Sequence, residues 1–127
     1  MEMKSRLRSL LFVLGTLLAA GAYAAQTEEI PLVTGEHWVK SSEELKKAYL
    51  LGIANVIQVE RAYGAANPQP DAHSIVARAA RGLGNHTLDS VREGLNRWYA
   101  ANPARLQRPV IETIWFEMVE PGLKKSK

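Results

Sequence analysis

The chain has 127 residues, no cysteine, and 16 basic against 13 acidic side chains, a formal net charge of +3 at pH 7. Without cysteine, thiol catalysis, cysteine metal ligation and disulfide cross-links are all excluded, so packing alone has to hold the fold. Much of the basic excess sits at the start of the chain: with residues 1–24 set aside, 13 basic and 12 acidic side chains remain. So nearly neutral a surface argues against binding nucleic acid by counterion release.

Lys4, Arg6 and Arg8 precede an apolar run of 13 residues from Leu10 to Ala22. A membrane-spanning helix takes roughly 20 residues. A short basic stretch, an apolar run of this length and small residues at Ala22 and Ala24 follow the order of a secretion signal, with the cut expected after Ala24. The product is then expected in the periplasm or outside the cell, with no stable membrane insertion after cleavage. The 103 residues left suit one small domain with a single core.

Residues 25–40 show no sustained period and read as an irregular leader that becomes ordered near Trp38. Ser41 and Glu44 have the spacing of a capping box. From there the apolar stripe Leu45, Tyr49, Ile53 and Val56 predicts a central helix to about Tyr63, widened by Leu50, Leu51 and Ile57. Gly64 to Pro70 contains two prolines and a glycine and reads as a loop. Asp71 is placed to cap a second helix carried by Ile75, Ala79 and Leu83 and ended by Gly82 or Gly84. Thr87 is placed to cap a third, with Leu88, Val91, Leu95 and Trp98 on one face, broken at Asn102-Pro103. A last helix is expected from about Arg108 to Val119, burying Val110, Ile114 and Met118 and closed by Pro121-Gly122, with 121–127 as a solvated basic tail. No strand-like alternation competes. The expected fold is an all-α bundle of about four helices over residues 41–120.

Few residues announce chemistry. His37, His73 and His86 lack the three- or four-residue spacing that would set two imidazoles on one helical face, so no metal site is expected, and nothing points to a cofactor. Ser41 and Ser42 read as caps, and no serine lies in a nucleophile-elbow turn. Glu60 continues the apolar stripe of the central helix and is expected to be a buried carboxylate, held by an ion pair within the chain or, as the other reading, acting as a functional acid. Trp98-Tyr99 and Trp115-Phe116 are adjacent aromatic pairs, in each of which one ring faces the core while the other approaches the surface. Together with Arg105 and Arg108, which bracket the intervening turn, Trp98, Tyr99 and Trp115 are the expected partner-binding residues; the competing reading puts the rings in the core and the arginines at helix termini.

The signal segment, the stretch Ala48-Tyr49-Leu50-Leu51-Gly52-Ile53-Ala54-Asn55, and the later order Thr87, Val91, Trp98-Tyr99-Ala100-Ala101-Asn102-Pro103, Pro109-Val110 resemble the Tai-type family of secreted immunity proteins. The resemblance covers roughly residues 41–120. It implies a small helical periplasmic inhibitor of peptidoglycan amidase toxins delivered by type VI secretion, acting by occluding the toxin's cleft. Members usually carry disulfide-forming cysteines, and this chain has none. The leading expectation is therefore a nonenzymatic periplasmic protein-binding domain whose partner is a secreted hydrolase or an envelope protein. A different class of function is an envelope stress chaperone that exposes apolar surface on acidification. An enzyme would require Glu60 to share an open cleft with a histidine or a second carboxylate.

Overall fold

In a computed structural model that describes residues 29–68 and 73–126, helices follow one another from Gly35 onward. The signal segment and Asp71 lie outside the described residues. The first helix, α1 (Gly35–Lys40), corrects the expectation of an irregular leader up to residue 40. Its N-terminus is stabilised by Thr34, whose N–H donates to Nδ1 of His37 at 3.2 Å, a short-range cap that the preceding irregular sequence hides. The entry to α1 is also tied to a distant segment: Gly35 N–H donates to Arg108 O, Glu36 N–H to Leu106 O, and Val110 N–H to Val33 O.

Helix α2 (Glu43–Ala66) is capped by Ser42, whose hydroxyl accepts from Leu45 N–H, and not by Ser41. Ser41 instead closes α1, donating its hydroxyl to His37 O at 2.7 Å. The buried face of α2 is Lys46, Leu50 and Ile57, with Tyr49 and Ile53 packed at its margin. Leu45 and Val56, expected inside, are exposed. A lysine on the buried face shifted the apparent stripe: Lys46 is buried because its ammonium pairs with Glu43 at 2.8 Å and lies 5.6 Å from the centre of the Trp38 ring, which spares it an unpaired desolvated charge.

Ser74 caps α3 (Ile75–Gly82), accepting from Ala77 N–H. Thr87 caps α4 (Leu88–Ala101) with Ser90 as the reciprocal partner, and Val91 and Leu95 are buried as the spacing predicts. After a single 3-10 turn at Pro103–Arg105, α5 (Val110–Ile114) starts behind Pro109 and leads into a π-helical turn at Trp115–Val119 and then α6 (Glu120–Lys125). The helix therefore passes through Pro121-Gly122, which were expected to end it, and most of the expected tail is helical. Proline lacks the N–H of a regular turn and its ring crowds the carbonyl four residues back. The π turn just ahead, in which Glu120 N–H reaches Trp115 O five residues back, widens the backbone where that crowding would fall.

The core gathers Trp38, Leu50, Val91, Leu95, Tyr99, Val110, Ile114, Met118 and Val119. Among the described residues there is no strand, only a single antiparallel bridge between Thr34 and Pro109. The fold is a small all-α bundle, and no described helix is long and apolar enough to cross a membrane.

Candidate functional site

Of the five expected partner-binding residues, the structure brings three together. The guanidinium carbons of Arg105 and Arg108 lie 5.4 and 4.7 Å from the centre of the half-buried Trp98 ring. Arg108 is further fixed by Glu117 at 2.9 Å and reaches the Phe116 ring at 5.3 Å. Its cation is thus already neutralised and stacked, which leaves Arg105, exposed and without a carboxylate partner among the described residues, as the unneutralised charge at that edge.

Tyr99 is the core-facing ring of its pair, as the adjacent spacing predicts, and this corrects its expected place among the partner-binding residues. It is 1% exposed, its hydroxyl donates to Arg108 O at 2.9 Å and stands 3.0 Å from the buried Thr113 hydroxyl, and its ring meets the backbone at Gly35. The ring tethers α4 to the turn before α5. Burial raises the pKa of this hydroxyl above the ordinary tyrosine value, against the opposing pull of the Thr113 hydrogen bond and the Arg108 charge; burial also raises that of Tyr49. A folded value above the unfolded one means that this stability is complete below about pH 10 and is lost as pH rises through the folded value. The thermal midpoint is expected to fall above that pH, and to fall less in Tyr99→Phe, as circular dichroism melts across the alkaline range would measure.

Glu60 is likewise corrected. It is only partly buried and forms no ion pair with any described residue, because the stripe on which it was placed runs along the margin of the buried face of α2 and not along its centre. It shares no site with a histidine: His37 serves as a cap, His86 stands 3.2 Å from the Ser90 hydroxyl, and His73 is exposed. Among the described residues no group of three or more histidines and carboxylates is placed to hold a metal ion.

Trp115 belongs to a different feature. Its indole N–H donates to Glu120 at 3.2 Å and Arg78 covers its ring at 5.0 Å, so that one edge is left to line an open groove of about 480 Å³ between α2, α3 and the last helix. Ile53 and Ile57 contribute from α2, Ala79 and Leu83 from α3, Ile114 and Val119 from the far wall. Val56, Ile75, Ile111 and Phe116 stand exposed at its lips, Ile75 at 70% and Phe116 at 50%. Glu112 is the sole charged residue in the lining. Four of the lining residues, Ile53, Ile57, Leu83 and Ile114, also wall a second cleft of about 280 Å³ on the other flank of α2.

An apolar groove of this kind, with one carboxylate and no convergent set of donors, lacks the polar contacts that orient a metabolite and suits the apolar face of a helix. It escapes sequence reasoning because its walls come from three separate segments of the chain, with Ile53 and Ile111 58 residues apart. The one local signal was the Trp115-Phe116 pair, of which Trp115 forms the wall and Phe116 the lip. No protein-family model matches the chain, and no curated protein or solved structure matches it.

Proposed function

We propose that this chain works outside the cytoplasm as a nonenzymatic protein-binding domain, and that its groove receives an apolar helical segment of a protein partner. The observation that carries the reading is the cluster of Val56, Ile75, Ile111 and Phe116 left exposed around an almost uncharged groove. Isolated exposed apolar residues are ordinary on a small domain, whereas a contiguous apolar concavity marks a binding surface. The basic and apolar order of residues 4–22, with small residues at Ala22 and Ala24, supports the assignment outside the cytoplasm.

The resemblance to the Tai-type family makes a secreted peptidoglycan amidase the partner class to present first, with inhibition of its hydrolysis as the readout. Phe116→Asp places a carboxylate at the groove lip, half in water, so it is tolerated by the fold and opposes an apolar ligand. We expect it to weaken binding by about tenfold or more, while Arg97→Ala, on an exposed helix face away from the groove, leaves the affinity unchanged. Equal affinities for the wild type and Phe116→Asp, measured by titration calorimetry, would remove the groove from the reading.

A further inference from the structure

Helix α2 carries a second apolar face, on the side opposite its core. Leu45, Ala48, Gly52, Asn55, Val59 and Ala62 recur at alternating intervals of three and four residues, and every one of them is exposed, Val59 at 69%. This is the spacing of a helix-pairing seam, running about 26 Å at 1.5 Å per residue. From Ala48 to Val59 the sequence holds no charged residue. A Cβ added at Gly52 would meet nothing within 4 Å, so the face is uncovered among the described residues. A solitary surface helix ordinarily presents its charges on that side.

The seam is complementary to itself in one orientation. When two copies of α2 run antiparallel about a two-fold axis between Ile53 and Ala54, Leu45 faces Ala62 of the second copy, Ala48 faces Val59, and Gly52 faces Asn55. Each layer sets a large residue against a small one, which fills the space evenly. A parallel pair would set like against like, alternating crowded layers with hollow ones. We propose that the protein forms a two-fold symmetric homodimer through this outer seam of α2. A two-fold interface needs one patch that matches itself, and the size-matched layers provide it.

The test uses the purified protein in sedimentation velocity across a wide concentration range, with Val59→Glu and Ala62→Glu beside it. Both positions point into solvent in the single chain and neither lines the groove, so circular dichroism should be unchanged and groove binding is unaffected. A reversible dimer is expected for the wild type, with its dissociation constant raised by about 100-fold or more in either variant, because the pairing would bury an uncompensated carboxylate from each copy. A wild type that stays monomeric throughout, or variants that dimerise as it does, would overturn the proposal, and the seam would then belong to another helix. Because the chain has no cysteine, register is read by oxidation. The double variant Ala48→Cys/Val59→Cys should form a covalent dimer, while each single variant should not, its two thiols being about 16 Å apart along the axes. Cross-linking of the single variants would overturn the antiparallel register.

Discussion

Replacing Gly122 with alanine is expected to destabilise the fold by about 3 kcal/mol, the upper end of what overpacking costs. The reason lies in a backbone-to-backbone approach between α3 and α6. A Cβ at Gly122 would collide with the carbonyl oxygen of Gly82 and come within 2.8 Å of its carbonyl carbon. A Cβ at Gly82 would in turn meet the backbone of Val119, 2.8 Å from its Cα. Neither neighbour is the end of a flexible side chain, so relief requires the helices to separate, and with them Val119 and Ala79, which pack into the core. Gly64 gives the contrast. It lies in α2 with nothing within 4 Å of its Cβ position, so Gly64→Ala should stabilise by about 0.5–1 kcal/mol through helix propensity alone. Urea unfolding of the two variants, followed by circular dichroism, should move the midpoint in opposite directions. A neutral Gly122→Ala would mean that the close contact of α3 and α6 does not hold in solution.

That pair of glycines also shows where the sequence was legible and where it was not. In α4 the cap at Thr87, the face through Val91 and Leu95 and the stop at Asn102-Pro103 were all readable, because one apolar face, one cap and one breaker point the same way. In α2 the apolar residues occupy two faces, one packed in the bundle and one on the surface. Periodicity alone does not say which is inside, and a buried lysine moved the apparent stripe to the margin of the packed face. Pro121-Gly122 carries the usual meaning of a helix end, but Gly122 serves instead as the place where another backbone comes close, and the π turn at Trp115–Val119 lets the helix reach it. Such a turn leaves no mark in a pattern that tests only the 3.6-residue period. The groove was beyond local reasoning for a related cause: each of its walls is an ordinary amphipathic helix, and the concavity exists only in how the three are assembled.

Trp38→Ala should be the most damaging of the core truncations, costing about 3–5 kcal/mol in a domain whose total stability is of the order of 5–15 kcal/mol. Trp38 is 2% exposed although it sits on the six-residue α1, and several elements depend on it. Its indole N–H donates to Asn96 Oδ1 at 2.8 Å, its ring meets Tyr49 edge-on at 6.3 Å, and its face lies beneath the ammonium of Lys46. Truncation leaves a cavity, strands a carbonyl oxygen on α4 and removes the ring that shields a buried cation on α2. Trp38→Phe keeps much of the volume but not the N–H, so its cost should be smaller, near the 1–3 kcal/mol of an unsatisfied buried acceptor. The two variants thus divide packing from hydrogen bonding at one position. They also test whether the segment from Gly35, which shows no helical period of its own, unfolds together with the bundle. If Trp38→Ala melted within 1 kcal/mol of the wild type, α1 would be an appendage, and the hydrogen bonds from Gly35 and Glu36 to the turn before α5 would not belong to the cooperative unit that positions the last helix and its groove.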